Sequence, residues 1–303
     1  MESSANQAPE LPCDVSQRFI FDDADIRGET VHLDAALQDI LAIHPYAPGV
    51  SQLIGEFLAA AVLLSTTLKY EGKLILQARS EGQIPLIMVE CSNDLQIRAI
   101  VRGAEQATSS SFAKLLSNGQ LAITVDPKKG NRYQSIVPLV EDSLAHSLDA
   151  YFEQSEQLAT RFWLTAESGR AAGMLLQQLP AQTNPDEVLR AQQWQHACAL
   201  AATVKEDELR SLPAAALLHR LYHENPVRIF EPATVKFQCS CSRERTLNAL
   251  ATIDRDELED ILREHGHIMM DCEFCSQQYR YEKEDLAALF ALEHASASPR
   301  TLH

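Results

Sequence analysis

Four cysteines in two close pairs lie near the end of this sequence. The first pair is Cys239-Ser-Cys241, thirty residues follow, and the second pair is Cys272-Glu-Phe-Cys275. Thiolates are soft ligands, and four of them arranged as a tetrahedron make a closed Zn²⁺ site with no position open for water or substrate. The paired spacing therefore predicts a zinc site made of these four residues, with one zinc ion per chain.

The same thiolates have a second chemistry, because thiolate is the form of cysteine that peroxide or hypochlorite attacks. The Cys239-x-Cys241 spacing is shorter than the roughly two to four intervening residues usual in structural zinc fingers, which crowds its sulfurs. On the residues alone, the site is either a structural clip or an oxidant sensor. His265 and His267 could replace one sulfur, but with four cysteines present we interpret them as solvated loop residues.

Net charge and hydropathy indicate which classes of partner and which cellular compartment to expect. The 303 residues include 26 basic and 42 acidic ones, a net charge of −16, which repels phosphate backbones and anionic membranes. The N-terminus lacks the apolar core of a secretory signal, and the most apolar run, Phe57 to Leu68, is too short to span a bilayer. We therefore expect a cytoplasmic protein with no nucleic acid or membrane partner. Cys91 and Cys198 are interpreted as small buried hydrophobes.

The fold class predicted for residues 1–178 is one α+β domain, mainly an antiparallel sheet with packed helices. Asp22–Gly28 is predicted to be a turn. Apolar spacing predicts a short helix from Leu33 to Leu41, a buried central helix from Val50 to Tyr70, and a helix from Ser143 to Gln157. The predicted strands are Arg18–Phe21, Lys73–Arg79, Leu86–Cys91, Leu95–Arg102, Gln120–Val125, Tyr133–Val140, Arg161–Ala166 and Ala171–Leu176.

Residues 179–233 are predicted to be a metastable helical linker. Its helices, Val188–Ala201 and Glu206–Leu221, are rich in small residues and are interrupted or flanked by prolines such as Pro213. Helices of this kind bury little area each, so docking onto a neighbour must hold them in place.

Residues 234–303 are predicted to be a small zinc-binding domain with a C-terminal tail, which would be a redox-switch domain if its cysteines sense oxidants. Asp254–Glu264 should be a helix that Asp254 or Thr252 caps and Gly266 ends, followed by a strand at Tyr279–Tyr281 and a helix at Lys283–Leu292. So short a segment cannot assemble much core, so zinc would supply most of its folding free energy. Metal loss is expected to unfold it.

Several further short stretches match the sequence pattern of a known protein family. They are Arg27-Gly28-Glu29, Leu68-Lys69-Tyr70-Glu71-Gly72, Leu121-Ala122-Ile123-Thr124, Arg132-Tyr133-Gln134, Tyr151-Phe152 with Ser155-Glu156-Gln157-Leu158, Met174-Leu175-Leu176-Gln177 and Arg220-Leu221-Tyr222-His223. The most specific is Cys239-Ser-Cys241-Ser-Arg243-Glu-Arg245 together with Cys272-x-x-Cys275. On these residues, nearly the whole chain resembles the redox-regulated chaperones of the 33 kDa chaperonin, or heat shock protein 33, family.

The resemblance implies a cytoplasmic holdase that is inactive while it is reduced and binds zinc through all four cysteines. It implies that oxidation pairs Cys239 with Cys241 and Cys272 with Cys275, releases zinc, and unfolds the C-terminal domain and the linker. Exposed apolar surface would then bind unfolding client proteins. The resemblance also implies a homodimer when active and no need for nucleotide.

Three positions depart from the family pattern, which commonly has glycine where this sequence has Ser135, Ala172 and Ser276. Ser276 matters most because it follows the last ligand, where a positive backbone angle is easier for glycine.

Two other functions compete with the chaperone hypothesis. The Cys272-x-x-Cys275 pair could serve a thiol-disulfide oxidoreductase, although no βαβ unit is apparent, and a static zinc ribbon could serve as an adaptor. No nucleotide-binding or hydrolase motif is present, so we assign no catalytic residue. His219 and His223 lack a third ligand and are interpreted as surface or docking residues.

The client surface is expected under the linker, on the apolar faces of the linker helices and of the sheet that they cover. Leu189, Leu217 and Leu218 are predicted to lie in this hidden face. Charged substitutions there should loosen the linker and raise basal activity.

Overall fold

A computed structural model describes residues 13–139, 142–156 and 158–286. The chain divides into two compact units, Met1–Gln238 and Cys239–His303. The first is built on two six-stranded sheets and the second on a two-stranded sheet. The predicted α+β class with mainly antiparallel strands is confirmed, the pairing of Lys236–Phe237 with Gln96–Ile97 being parallel.

The strands of the first unit are β1 (Val15–Phe21), β2 (Ile26–Leu33), β3 (Gly72–Arg79), β4 (Leu86–Ser92), β5 (Gln96–Arg102), β6 (Gly119–Pro127), β7 (Tyr133–Leu139), β8 (Thr160–Glu167), β9 (Arg170–Gln178), β10 (Val227–Ile229), β11 (Ala233–Thr234) and β12 (Lys236–Phe237). Its helices are α1 (Ala35–Leu41), α2 (Pro48–Thr67), α3 (Phe112–Leu115), α4 (Leu144–Tyr151), α5 (Glu187–Ala201), α6 (Glu206–Ser211) and α7 (Ala214–Tyr222), and Phe152–Glu156 is π-helical. The second unit contains α8 (Arg243–Leu250), α9 (Arg255–His265), β13 (Ile268–Asp271) and β14 (Gln278–Tyr281).

Helix α2 is the centre of the first unit. Its side chains Phe57, Leu58 and Leu63 are fully buried, as the wide apolar arc predicts. By length and composition this helix could cross a membrane, but 78% of its apolar window is buried inside the protein, which is typical of a core helix. Strands β2, β8 and β9 of one sheet and β3, β4 and β5 of the other pack on this helix and form the main hydrophobic core with it.

The first sheet has the order β10-β1-β2-β9-β8, with β11 also paired to β1. The prediction of a turn at Asp22–Gly28 is wrong at its C-terminal end, because β2 begins at Ile26 and lies in the middle of this sheet. Nearly every residue of β2 is buried, so the alternation of apolar and polar residues that indicates a strand is absent. Gly28 fits here because the Phe19 ring covers it, leaving no space for a Cβ.

The second sheet has the order β12-β5-β4-β3-β6-β7. Strands that follow one another across short turns pair antiparallel, β3 with β4, β4 with β5 and β6 with β7. Their inward-facing aliphatic residues pack against α2.

The segment 179–233 contains three helices and ends in strands that the sequence analysis did not predict. Pro213 separates α6 from α7, because proline removes a backbone donor and a helix seldom continues through it. Strands β10 and β11 extend the first sheet along β1. A run of only three residues such as β10 is too short to show a strand period. The division into domain, linker and switch domain at residues 178 and 233 stays a prediction.

The second unit has a small core made of Leu250, Leu258, Ile268, Tyr281 and Leu286. Asp254 caps α9 through the Asp256 N–H, and Gly266 ends the helix in the left-handed conformation, both as predicted. Helix α8 was missed because it is polar and largely exposed. The predicted helix Lys283–Leu292 lies largely outside the described residues.

Candidate metal centre and the covered sheet face

Local structure positions the four cysteines. Cys239 and Cys241 directly precede α8, whose N-cap Ser242 accepts a hydrogen bond from the Arg245 N–H. Cys272 follows β13 and Cys275 lies in the turn before β14, so one hairpin carries the second pair.

The four sulfurs form one cluster. All four Sγ atoms lie within 4.8 Å of one another, with Cys239 to Cys272 at 3.6 Å and Cys241 to Cys275 at 3.5 Å. A tetrahedral zinc ion with Zn–S bonds of about 2.3 Å places its sulfurs about 3.8 Å apart. The cysteines are all free thiols, so the geometry and the donor chemistry fit a metal ion.

Other candidate ligands lie outside this cluster. Neither His265 nor His267 belongs to it, and the described residues contain no second group of three or more potential ligands with metal-binding spacing. His219 and His223 are both exposed, in agreement with their interpretation as surface residues.

The turn at the second pair is a tight knuckle. The N–H groups of Cys275 and Ser276 donate to the Cys272 carbonyl at 3.2 and 2.7 Å, and the Cys272 N–H donates to the Gln277 carbonyl at 2.9 Å. Ser276 has a φ of +56°, the left-handed conformation that glycine adopts without strain. The expected positive backbone angle beside the ligand is confirmed, and it costs about 1 kcal/mol for a residue with a Cβ.

Hydrogen bonding distinguishes the sulfurs. The Tyr279 hydroxyl donates to Cys241 Sγ at 3.1 Å. Burial alone would raise the pKa of Cys241, but the hydrogen bonds from Tyr279 and the neighbouring sulfurs outweigh it, so the pKa lies below its ordinary value. Burial raises the pKa of Cys272 and of Cys275. Without a metal, Cys241 therefore ionises more readily than either residue of the second pair.

Two arginines brace the loop that carries the first pair. Arg245 donates from Nη1 to the Ser240 carbonyl at 2.6 Å and to its hydroxyl at 2.9 Å, and Ser240 lies between the two ligands. Arg243 lies over the Tyr281 ring, 4.5 Å from its centroid, and its Nη2 donates to Asp285 at 2.7 Å. The loop is thus held at Ser240, between the two ligands, and at Arg243, just after Cys241.

A second apolar surface lies in the first unit, on the face of the first sheet opposite α2. We call it the covered sheet face. Helices α5 to α7 pack on it and make a hydrophobic cluster separate from the main core. Its sheet side consists of Phe19, Phe21, Ala24, Ile26, Ala172, Met174 and Leu176, and its helix side of Ala197, Ala201, Leu209, Leu217, Leu218, Leu221 and Tyr222.

The three linker leucines do not share one environment. Leu217 and Leu218 are 0% and 2% exposed, as predicted. The prediction for Leu189 is wrong, because its side chain is 42% exposed. The fully buried residues of α5 are Ala197 and Ala201, so the fully buried side chains of this helix all lie in its C-terminal half.

Asp25, which the sequence analysis did not single out, fastens the start of the linker. Its buried carboxylate accepts the N–H groups of Gln182 and Thr183 at 3.2 and 2.8 Å and lies 3.2 Å from Arg190 Nε. Burial would raise the pKa of Asp25, but the backbone donors outweigh it and hold the pKa below its ordinary value. The feature of the sequence that could have pointed to Asp25 is its place in a predicted turn, because aspartate in a turn often accepts hydrogen bonds from backbone N–H groups.

Two of the three single cysteines, Cys91 and Cys198, pack among apolar side chains. Cys91 is fully buried, which confirms its interpretation as a small buried hydrophobe. Burial raises its pKa to about 12. The prediction that Cys198 is buried is wrong, because it is only partly covered, on the linker side of the covered sheet face. Burial raises its pKa to about 12 as well. Ser135, where the family commonly has glycine, donates to the Tyr133 hydroxyl at 2.7 Å.

Known proteins resemble this chain over almost its whole length. A family model described as "Hsp33 protein" matches residues 14–282. The 33 kDa chaperonin of Pseudomonas paraeruginosa (strain DSM 24068 / PA7) is 50% identical over 293 residues, which cover 96% of this chain and 99% of that protein. The 33 kDa chaperonin of Azotobacter vinelandii (strain DJ / ATCC BAA-1303) is 49% identical with the same coverage.

One solved structure has the same fold. The crystal structure of the 33 kDa chaperonin (heat shock protein 33 homolog) of Thermotoga maritima superposes with a TM-score of 0.78 and covers 93% of this chain and 99% of that one. Its sequence identity is 21%, so this similarity bears on the fold alone.

Proposed function

The chain belongs to the 33 kDa chaperonin (Hsp33) family, and on this premise we propose that it is a holdase chaperone switched by oxidation. Family membership makes it a chaperone. In the proposed switch, the reduced protein holds one zinc ion on Cys239, Cys241, Cys272 and Cys275 and is inactive. The observation that carries the proposal is the cluster of four free thiols within 4.8 Å of one another.

The ion would be the main source of stability for the second unit. The hydrophobic core of the described part of this unit has five buried side chains, which is little for a segment of its length. Zinc binding contributes about 10–16 kcal/mol in small zinc domains. Losing the ion would therefore unfold the unit.

Oxidation would remove the ligands. One thiolate attacks hydrogen peroxide, forms a sulfenic acid and releases hydroxide; a second thiolate then attacks that sulfur, forms a disulfide and releases another hydroxide. Two such events use four thiolates and two peroxide molecules. We propose the pairs Cys239–Cys241 and Cys272–Cys275, because partners with only one or two residues between them stay close as the unit unfolds.

Two sulfur contacts in the reduced cluster join the two pairs, at 3.5 and 3.6 Å. The proposed disulfides therefore rest on chain proximity in the unfolding unit and on the family resemblance. Peptide mapping of the oxidised protein tests the pairing directly.

Release of the linker would create the client surface. Without α5 to α7, the covered sheet face would expose Phe19, Phe21, Ile26 and Met174 to water. A contiguous apolar patch of this kind binds other apolar chains. The linker is suited to release because α5 fully buries only two alanine side chains.

We further propose that the partners are unfolding client proteins and, in the active state, a second copy of the chain. The proposed location is the cytoplasm, with no nucleic acid or membrane partner, as the net charge of −16 favours. No catalytic residue is proposed, since binding to apolar surface requires none.

The test measures zinc, helicity and chaperone activity together. Reduced full-length protein should contain about one zinc per chain, and hypochlorite, or peroxide with mild heat, should release it while helicity falls and client aggregation is suppressed. Cys91→Ser is the matched control, because Cys91 is a buried thiol outside the cluster and should respond like wild type.

Three results would contradict the proposal. Oxidised, zinc-free protein that leaves aggregation of a thermally unfolding client unchanged would exclude the switch. Zinc retained under strong oxidant would favour a static zinc adaptor. Catalytic turnover in an insulin-reduction assay would favour a thiol-disulfide oxidoreductase.

A further inference from the structure

We propose that Tyr279 sets how readily the cluster is oxidised, because its hydroxyl donates a hydrogen bond to the Cys241 sulfur and so slows the attack of that sulfur on peroxide. The inference rests on the proposed function, in which these thiolates react with an oxidant. It assigns a specific task to a residue that is not a ligand.

The fold holds this hydrogen bond in place. Tyr279 lies on β14 and pairs with Met270 of β13, while its ring packs against the core of the second unit. The hydroxyl reaches Cys241 Sγ at 3.1 Å across 38 positions of sequence. A tyrosine side chain has few rotatable bonds, so the donor is aimed at the sulfur before any oxidant arrives.

The chemistry explains the direction of the effect. In the first step a sulfur lone pair attacks one peroxide oxygen, the S–O bond forms, the O–O bond breaks, and hydroxide leaves. The sulfur loses two electrons and the peroxide gains them. A hydrogen bond engages the electron density that the attack uses, and a less basic thiolate is a weaker nucleophile. The Tyr279 hydrogen bond must therefore weaken as the sulfur reacts.

Tyr279 is also a donor that substitution can remove. Cys272 and Cys275 receive hydrogen bonds from the backbone N–H groups of Phe274 and Gln277, which the knuckle supplies whatever the side chains are. The donor to Cys241 is a side-chain hydroxyl. Tyrosine or phenylalanine at position 279 would thus give a cluster of similar shape with different reactivity.

The chain offers a matched control. Tyr281 is also on β14, and its hydroxyl donates to the Arg243 carbonyl at 2.8 Å and contacts Thr246. It has no hydrogen bond to any of the four sulfurs. Tyr281→Phe therefore removes a hydroxyl from the same strand, whereas Tyr279→Phe removes the one that touches sulfur.

The experiment uses reduced, zinc-loaded full-length protein mixed with excess hydrogen peroxide. A chromophoric chelator reports zinc release, and mass spectrometry after trapping of sulfenic acid reports oxidation at Cys241. We expect Tyr279→Phe to release zinc and to oxidise Cys241 about two to five times faster than wild type. We expect Tyr281→Phe to match wild type in Cys241 oxidation. Placing 3-fluorotyrosine at position 279, which keeps the hydroxyl and makes it a stronger donor, should slow both readouts.

Unchanged or slower Cys241 oxidation in Tyr279→Phe would overturn the inference, and so would equal acceleration in both phenylalanine variants. Acceleration by 3-fluorotyrosine would overturn it as well. The proposed function fails separately, if wild-type protein keeps its zinc and stays inactive after oxidation. In that case the trapping rates at Cys241 still decide the role of Tyr279.

Discussion

Leu217 and Leu189 make a matched pair that tests whether the client surface lies under the linker. Both are leucines on linker helices, but Leu217 is fully buried against the covered sheet face and Leu189 is 42% exposed. Replacing a buried leucine by alanine costs about 2–5 kcal/mol, the sum of lost transfer free energy and the cavity that remains. Replacing an exposed residue costs within about 0.5 kcal/mol.

These costs convert into populations of the undocked linker. A tenfold change in an equilibrium constant corresponds to about 1.4 kcal/mol. A loss of about 3 kcal/mol at Leu217 therefore raises the ratio of undocked to docked linker by about a hundredfold. The same change at Leu189 alters that ratio by less than about threefold. Glutamate at Leu217 should undock the linker further, because a buried unpaired carboxylate is costlier than a cavity.

The assay is suppression of light scattering from a thermally unfolding client by reduced, zinc-loaded protein without oxidant. Leu217→Ala and Leu217→Glu should show increasing basal activity, Leu189→Ala and Leu189→Glu should not, and all four should keep one zinc per chain. Hydrogen exchange across residues 206–222 should speed up only in the Leu217 variants.

If Leu217→Glu speeds exchange but stays as inactive as wild type, the covered sheet face is not the client surface. If Leu189→Glu is equally active, docking of α6 and α7 is not what controls it.

Three further predictions concern Ser276 in the zinc knuckle, Asp25 at the start of the linker and the buried carboxyl group of Asp149. Ser276→Gly should relieve the left-handed strain beside Cys275, stabilise the zinc-bound second unit by about 0.5–1 kcal/mol, and tighten zinc binding about two- to fivefold in a chelator competition. Asp25→Asn should free the start of the linker and raise the chaperone activity measured without oxidant. Asp23→Asn changes an exposed neighbour and should not raise it. Equal activity of the two variants would show that Asp25 does not hold the linker in place. Burial raises the pKa of Asp149 from 3.8 to about 6, so the folded protein holds a proton there that the unfolded chain releases. The stability from this proton is therefore fully present below about pH 4 and lost as pH rises through about 6. The denaturation midpoint of Asp149→Asn should lack this pH dependence. Identical pH profiles for wild type and Asp149→Asn would refute the prediction.

Short-range features of the chain could be predicted from its sequence. The four cysteines of the cluster were identified from the sequence, because each pair has only one or two residues between its members and two such pairs are typical of one zinc site. Strands β3 to β5 were predicted because β-branched and aliphatic runs alternate with short turns. The positive φ of Ser276 was expected because the family commonly has glycine at this position.

Only the tertiary structure decided the long-range contacts. Strand β2 was missed because burial of almost all its residues removes the period of two, and the exposure of Leu189 depends on where α5 leaves the sheet, which helical periodicity does not specify. Tyr279 meets Cys241 across 38 positions, and Asp25 meets Thr183 across 158. Spacing along a chain specifies partners only within a turn or a helix, because more distant pairs depend on how whole elements pack.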